Sequence, residues 1–463
     1  MAVHHGGVIL ASGEHTSLMH GWIPVTVQAA AVLALVLGVG RRSRRWLPVI
    51  GAVGLAVAVG AYRFAADDGL IAQPSPPALW VWIALTGAAA GLLLLGWRGA
   101  AWWRRGISVL AVPLCAISAA LTLNSWVGYF PTVQSAWGNL TSGPLPDQSD
   151  LAAVNALAGS GTTPERGQVL KVTIPSDASH FKHRGELVYL PPAWFAQNPP
   201  PALPVVMMIG GEFNTPSDWL RSGGAINTVD EFAAAHDGNA PILVFVDSGG
   251  SFNNDTECVN GPRGNAADHL TEDVVPYVIS QFGASPDPSH WGVAGWSMGG
   301  TCAVDLTAMH PERFSTFVDI AGDLGPNAGT RSQTVNRLFG GSPQAWAAFD
   351  PSTVIAKHGR YYGVSGWFGV DGSATVADTG GQLAAAKSLC TLGRANGIDC
   401  AVVTAPGQHD WPFAGRMFAE ALPWLAGRLS TPGVQPVPFP VESPETAAAA
   451  GPRPAHDVRG PRR

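Results

Sequence analysis

The stretch Trp291-Gly-Val-Ala-Gly295-Trp-Ser297-Met-Gly299-Gly300 decides the fold. Its first four residues are an apolar run typical of a buried strand, and a helical pattern follows from Met298 to Met309. A glycine two residues before Ser297 and another two residues after it permit a tight turn from strand to helix. Such a turn exposes the serine hydroxyl near the N-terminus of the helix. The pattern therefore predicts a nucleophile elbow at Ser297.

Short apolar runs and helical patterns alternate on both sides of this elbow. This alternation predicts a mostly parallel central sheet covered by helices on both faces, which is the α/β-hydrolase fold. The strands near 180–190 come before any helix, so we expect the sheet to start antiparallel. The predicted strands are 169–174, 186–190, 204–209, 242–246, 291–294, 314–320, 362–368 and 401–404, and the predicted helices are 229–236, 268–282, 298–309, 379–396 and 412–429.

Serine is a poor nucleophile until a base takes its proton, and in this fold the chain order is serine, acid, histidine. The loop Pro406-Gly-Gln-His409-Asp-Trp-Pro412 follows the last predicted strand, so His409 is the expected base. The acid should follow the strand predicted at 362–368, where Asp371 is the first choice. Asp378 is the alternative acid, although its position also suits the N-cap of the next helix.

An oxyanion hole requires two backbone N–H groups aimed at the developing negative charge. Met298, directly after the nucleophile, is expected to supply one of them. The turn Gly210-Gly-Glu212 after the third predicted strand is expected to supply the other, from Glu212 in preference to Phe213. The competing interpretation is a glycine turn with no catalytic part.

The first 130 residues have the composition of a membrane bundle. Four apolar stretches, at about 22–40, 46–64, 79–97 and 107–127, are each long enough to cross a hydrocarbon core of roughly 30 Å. Arginines lie between the first and second stretches and between the third and fourth, and the middle loop carries acids. The positive-inside rule then places the N-terminus and the C-terminal domain outside the cytoplasm. We expect a multi-pass protein of the plasma membrane with a four-helix anchor.

The predicted organisation along the chain has five parts. They are an extracytoplasmic head at 1–21, four transmembrane helices within 22–130, a linker at 131–165, an esterase-like hydrolase domain at 166–428 and a disordered Pro/Ala-rich tail at 429–463.

Four of the five cysteines lie in the C-terminal half, which permits two disulfides in an oxidising compartment. Cys390–Cys400 is the favoured pair, and unpaired buried thiols are the alternative. The histidines of the N-terminal head are not expected to bind a metal: His4, His5, His15 and His20.

The charge balance argues against nucleic acid as a partner. The net charge is −6, and no Lys/Arg-rich arm or basic helix occurs in the hydrolase-like half. A serine triad requires neither a metal nor an organic cofactor, so none is expected.

From about residue 166 to residue 428 the chain resembles the Putative esterase family of α/β hydrolases, which includes enterochelin-type esterases, S-formylglutathione hydrolases and the secreted antigen 85-type mycolyltransferases. The resemblance rests on four motifs: Ile209-Gly-Gly-Glu212 followed by Trp219, Gly295-Trp-Ser-Met-Gly-Gly300, His310-Pro-Glu-Arg-Phe314 and Pro406-Gly-Gln-His409-Asp-Trp411. It implies that the polar loop 247–265 lines the substrate cleft. Mycolyltransferases end their acid strand in a Glu-bearing loop, whereas this chain offers only aspartates there.

These observations predict a membrane-anchored serine esterase that acts on an acyl ester through an acyl-enzyme at Ser297. An acyltransferase passing the acyl group to a sugar or lipid hydroxyl would use the same catalytic residues. A non-catalytic binding module on a hydrolase scaffold is the remaining alternative, because fold does not fix function.

Overall fold

The computed structural model describes residues 16–40, 43–67, 75–98, 100–141, 145, 148–372 and 381–440. An N-terminal helical bundle comes first along the chain, and an α/β domain follows. The bundle helices are α1 Trp22–Gly38, α2 Leu47–Asp67, α3 Pro77–Gly96 and α4 Trp102–Val127.

Three of these helices are long and apolar enough to cross a membrane. The apolar spans in α2, α3 and α4 contain 20, 20 and 26 residues. The first helix has 17 residues, because it ends at Gly38 and not at residue 40 as predicted. Within its described residues the bundle therefore contains three clear candidate spans and one shorter apolar helix, in place of four equal spans.

Small residues bring the bundle helices together. Ala31, Ala89 and Ala111 are fully buried between helices. A side chain on Gly54 would collide with the backbone oxygen of Ala84 on the neighbouring helix. Close backbone approach of this kind is how membrane helices gain van der Waals contact when no hydrophobic driving force acts between them.

The α/β domain is built on a nine-stranded sheet with the order β1-β2-β3-β5-β4-β8-β9-β10-β11. Only β3 runs antiparallel to its two neighbours. The antiparallel start and the otherwise parallel sheet agree with the prediction. The strands are β1 Gln148–Ser149, β2 Gln168–Val172, β3 Glu186–Leu190, β4 Val205–Ile209, β5 Ile242–Val246, β8 Trp291–Trp296, β9 Thr316–Ile320, β10 Ser365–Asp371 and β11 Asp399–Ala405, with a separate hairpin of β6 Asn260–Gly261 and β7 Gly264–Asn265.

Helices cover both faces of this sheet and enclose two apolar cores. The helices are α5 Val133–Leu140, α6 Leu151–Ser160, α7 Asp218–Arg221, α8 Ala225–Ala234, α9 Ala266–Asp268, α10 Val275–Phe282, α11 Met298–Met309, α12 Arg331–Phe339, α13 Pro343–Phe349, α14 Pro351–His358, α15 Gln382–Ala395 and α16 Trp411–Arg428, with a π-helical turn His269–Val274 between α9 and α10. One core lies against α6, α10, α11, α14 and α15, and the other lies against α8 and α16.

Two segments predicted to lie outside the domain belong to it. In the predicted linker, β1 pairs with β2 and Val154 is buried in the core. In the predicted tail, the ring of Phe439 lies 5.0 Å from that of Trp424. Single apolar residues make these contacts without a periodic pattern, so the sequence carried little signal for them. Residues 441–463 and the head histidines His4, His5 and His15 lie outside the described residues.

Two disulfides brace the domain. Cys390–Cys400 is the pair that the sequence favoured, and Cys258–Cys302 is the second. The alternative of unpaired thiols is therefore wrong for these four residues. The remaining cysteine, Cys115, is a buried thiol within α4.

Candidate active site

The elbow at Ser297 has the strained backbone that the motif requires. Ser297 has φ 58° and ψ −123°, a conformation that L-residues rarely adopt. A Cβ on Gly295 would lie 1.9 Å from the backbone oxygen of Gly299, and one on Gly299 would lie 2.3 Å from that of Ile209. Both glycines are therefore obligatory for the turn. The Ser297 N–H donates to the Ile320 oxygen on the next strand at 2.9 Å, which fixes the elbow to the sheet.

His409 reaches the nucleophile from the loop after β11. Its Nε2 lies 2.9 Å from Ser297 Oγ. The imidazole is tilted over the Trp296 ring, with 5.2 Å between the centroids. One edge of His409 stays accessible, but the surrounding protein shields most of the ring from water. This desolvation lowers the pKa of His409 to about 4, so the imidazole is neutral at pH 7.

The partner of His409 Nδ1 is a glutamine that the sequence reading did not single out. Gln382 Nε2 lies 3.0 Å from Nδ1 and donates to the Ala321 oxygen at 2.7 Å. Gln382 is the first residue of α15, and no motif marks it. With its nitrogen toward Nδ1 the amide is a donor, which places the proton of a neutral imidazole on Nε2, so Gln382 does not replace the carboxylate that general-base action at Nε2 requires.

Asp371 lies beside the histidine loop. The structure places it as the last residue of β10, opposite Ala405, and not three residues beyond the strand. The strand predicted at 362–368 begins later because Tyr362 is 82% exposed and does not enter the sheet. Asp371 Oδ1 accepts from the Gly407 N–H at 3.2 Å, two residues before His409. The alternative acid, Asp378, lies outside the described residues.

Two backbone segments meet at the nucleophile where an oxyanion hole is expected. Met298 is the first residue of α11, so its N–H has no acceptor within the helix. The turn after β4 passes close by, since a Cβ on Gly211 would lie 3.2 Å from Ser297 Cβ. Glu212 and Phe213 follow in that turn, and Phe213 has φ 66°. The Gly211 N–H is occupied by Asn214 Oδ1 at 2.8 Å, which leaves this group unsuited to an oxyanion.

An ion pair supports this turn from behind. Arg184 binds Asp247 at 2.6 Å and also donates to the Asn214 oxygen at 2.8 Å. Burial opposes the charge on Asp247, but the hydrogen bonds and charge of Arg184 outweigh it and lower the pKa of that carboxyl. Asp247 follows the carboxyl end of β5, the edge of the sheet where sites in this architecture form. The position of Asp247 directly after a predicted strand was therefore a sequence signal for a residue that supports the site.

Buried carboxyl groups surround the back of the elbow. Burial raises the pKa of Asp319, beneath Gly300, to about 7. Burial also raises the pKa of Asp255 to about 6, and that of Glu257 well above its usual range. Burial therefore favours the neutral, protonated form of each of these carboxyl groups.

One cluster has the side chains of a metal site. His183, Glu186 and His269 bring ligand-type atoms within 4.8 Å of one another. The two imidazole rings stack with centroids 4.2 Å apart, and both face the Glu186 carboxylate, with His269 Nε2 at 3.0 Å and His183 Nδ1 at 3.7 Å. Burial alone would lower the pKa of His269, but hydrogen bonds and charges from Glu186 and Asp273 outweigh it and raise the pKa. We interpret the cluster as a buried ion-pair network.

The last bundle helix contacts the histidine loop directly. Gly128 caps α4 at φ 67°, and a Cβ on it would lie 2.6 Å from Asp410 Cβ. The next residue, Tyr129, accepts a hydrogen bond from Ser222 Oγ at 2.8 Å. Asn124 bonds both the N–H and the oxygen of Phe130, which fixes the turn out of the helix. In the described residues, the end of α4 therefore contacts Asp410, which is next to His409 in the chain.

Several known proteins are similar to this chain. An uncharacterized protein of Corynebacterium glutamicum is 32% identical over 294 residues, which are 62% of this chain and 65% of that protein. An S-formylglutathione hydrolase from Agrobacterium tumefaciens is 18% identical, with a TM-score of 0.47 over 58% of this chain and 98% of its own. MPT51 (FbpC1) of Mycobacterium tuberculosis is 18% identical, with a TM-score of 0.41 over 56% of this chain and 97% of its own.

The sequence profile described as Putative esterase matches residues 182–424. This match covers just over half of the 463-residue chain and contains the elbow, the glycine turn and the histidine loop. It places the α/β domain among carboxylic-ester hydrolases and acyltransferases, in agreement with the expected enzyme class. The chain belongs to the Putative esterase family.

Proposed function

We propose that the protein is a membrane-anchored serine esterase that cleaves an acyl ester through a covalent acyl-Ser297 intermediate. The observation that carries this proposal is the 2.9 Å approach of His409 Nε2 to Ser297 Oγ at a strained strand-to-helix turn. A strained nucleophile held against a neutral imidazole is the arrangement that acyl transfer requires.

The reaction follows from these positions. Ser297 Oγ attacks the ester carbonyl carbon while His409 Nε2 accepts the hydroxyl proton. The Met298 and Glu212 N–H groups are the proposed donors to the oxyanion of the tetrahedral intermediate. When that intermediate collapses, the ester C–O bond breaks and the imidazolium protonates the departing alcohol. Water then attacks the acyl-serine by the same sequence, and the acid is released. Asp371 is the proposed acid that stabilises the imidazolium, with Asp378 as the alternative.

The membrane placement belongs to this proposal. We infer that α1 crosses the bilayer with the three longer helices, since 17 residues is at the short end of the spanning range. Arg45 and Arg98 then lie on the cytoplasmic side and the catalytic domain lies outside the cytoplasm. The proposed location is the plasma membrane and the cell envelope outside it.

An acyltransferase is the second candidate. Its first half-reaction is identical, and a sugar or lipid hydroxyl then replaces water as the acceptor. The contact between Gly128 and the histidine loop favours it, because a site beside the bundle is close to lipid hydroxyl groups. A binding module without chemistry is a weaker candidate, since Ser297 and His409 are in hydrogen-bonding contact.

The test uses the full chain in detergent micelles with a fluorophosphonate probe and p-nitrophenyl esters of short and long acyl chains. We expect labelling and hydrolysis by the wild type and by Ser280→Ala, a control at an exposed serine on α10. We expect neither from Ser297→Ala. Labelling that persists in Ser297→Ala would contradict the proposal, and acyl transfer to added trehalose would favour the second candidate.

A further inference from the structure

The bundle has a large cavity at the end away from the catalytic domain. Its volume is about 810 Å³, and it is lined by the turn that precedes α2, the end of α3 with the two residues that follow it, and one residue of α4. We call it the arginine groove. Its lining combines Arg45 and Arg98 with two tryptophans and a row of leucines.

The cationic side of the arginine groove lacks a counter-anion. None of the ion pairs within the described residues involves Arg45, Arg98 or the adjacent Arg105. The Arg105 guanidinium lies 5.4 Å from the centroid of Trp97, which lines the groove. Its buried Nε has no hydrogen-bond partner in the described part of the chain. A buried donor without an acceptor is costly, so the described residues leave this end of the bundle with one hydrogen-bond acceptor too few.

Arg104, which precedes Arg105 in α4, has contacts within the bundle. Its guanidinium donates to the backbone oxygen of Val39 and stacks over Trp103, with 4.6 Å to the centroid. Arg104 therefore ties α4 to the end of α1. The unsatisfied donor on Arg105 is a separate feature that helix packing does not explain.

The other side of the arginine groove is apolar. Leu93, Leu94 and Leu95 continue along α3 from the charged end, and Leu94 is 76% exposed. In the chain, Trp97 lies between these leucines and Arg98, and Trp46 directly follows Arg45, so both indole rings accompany the charged end, as is typical of the headgroup level. A ligand that fits this lining carries an anionic head at one end and a hydrocarbon chain at the other.

We propose that the arginine groove binds an anionic glycerophospholipid of the bilayer leaflet opposite the catalytic domain. The lipid phosphate pairs with the guanidinium forks, whose planar donors match phosphate oxygens. The acyl chains lie along the leucines. A zwitterionic lipid has the same phosphate, but it would also bring a quaternary ammonium beside several arginines. The proposal rests on the membrane placement given above and is independent of the catalytic chemistry.

The test compares lipid retention by the full chain. Native mass spectrometry is run in detergent with equal amounts of phosphatidylglycerol and phosphatidylcholine. We expect the wild type to retain phosphatidylglycerol with a preference of about thirtyfold, because each of the two arginines near an anionic headgroup contributes about 1 kcal/mol. The variant Arg45→Gln/Arg98→Gln should lose most of that preference. Arg63→Gln, an exposed arginine at the other end of α2, should keep it.

Two results would overturn the proposal: equal retention of both lipids by the wild type, or an unchanged preference in the double variant. Glycerol phosphate at millimolar concentration should not displace the lipid, and displacement would assign the arginine groove to a soluble phosphate. Hydrolysis of a p-nitrophenyl ester by the double variant checks that its catalytic domain is folded. Because the lipid readout does not depend on Ser297, failure here is distinguishable from failure of the esterase proposal.

Discussion

His409 sets the lower pH limit of the proposed reaction. A general base must be neutral, and desolvation lowers the pKa of His409 to about 4. Neutral imidazole therefore persists as the pH falls and is lost only near that value. We expect kcat/KM for a p-nitrophenyl ester to stay level from about pH 8 to about pH 5 and to halve near pH 4. A midpoint near the ordinary value of about 6.5 would contradict this expectation, and would mean that the carboxylate of the proposed acid already stabilises the imidazolium in the free enzyme and not only once substrate is bound.

Substitutions at Asp371, Asp378 and Gln382 identify the acid that assists His409. We expect Asp371→Asn to lower kcat/KM by about 10³-fold to 10⁴-fold, because an amide cannot stabilise the imidazolium. Gln382→Ala should cost about tenfold, since it removes an orienting contact and no charge. Asp378→Asn should remain close to the wild type.

Initial rates of the three variants, with urea unfolding as the check on folding, decide between the acids. If Asp378→Asn is the severe variant and Asp371→Asn is mild, the acid is Asp378. A Gln382→Ala variant as impaired as Ser297→Ala would make the amide the essential partner instead.

Residues with chemical motifs were predictable, and residues positioned by neighbours were not. Ser297 and His409 stand in fixed spacings to glycines and strands, and the structure brings them into contact. Gln382 has no such spacing, because its role depends on where the start of α15 meets the histidine loop. The turn that begins at Gly210 was predictable for a similar reason, because a tight backbone turn requires glycines and these are visible in the sequence.

At the scale of elements, the Cys258–Cys302 disulfide joins the cleft loop to α11, the helix that begins at the nucleophile. It closes 44 residues, whereas Cys390–Cys400 closes 10. A longer loop loses more chain entropy when it is cross-linked. We therefore expect Cys258→Ala/Cys302→Ala to lower the free energy of unfolding by about 4 kcal/mol and Cys390→Ala/Cys400→Ala by about 3 kcal/mol. Urea unfolding of both variants measures the order, and the reverse order would contradict this reasoning.

The helices and strands were predicted most accurately where the local sequence pattern was strongest. The strand and helix around Ser297 were predictable because an apolar run, a turn motif and a helical pattern adjoin one another. The prediction for β10 began three residues early because the pattern near Tyr362 resembles a strand although that side chain faces solvent. Val154 and Phe439 were not predicted to belong to the domain, because each is an isolated apolar residue without a periodic pattern around it.

For the whole molecule, the contact at Gly128 predicts that the bundle influences catalysis. Gly128→Ala combines strain at positive φ with a collision against Asp410, next to His409. Gly161→Ala is the matched control, because Gly161 has φ 69° and no atom within 4 Å of its Cβ position. We expect Gly128→Ala to lower kcat at least about tenfold, since small displacements of a catalytic group are costly. Gly161→Ala should lose only stability. Equal kinetic parameters in the two variants would show that the contact has no effect on the site.

The same contact has a consequence for the kinetics of the proposed enzyme. In the proposed membrane placement, Gly128 at the C-terminal end of α4 lies against Asp410, the residue that follows His409, so the reacting serine would be close to the lipid surface. Encounters with an amphiphilic ester would then occur by lateral diffusion in two dimensions. The rate would depend on the mole fraction of ester in the leaflet and not on its bulk concentration. Diluting such an ester with inert lipid at constant total ester should slow turnover, as in surface-dilution behaviour.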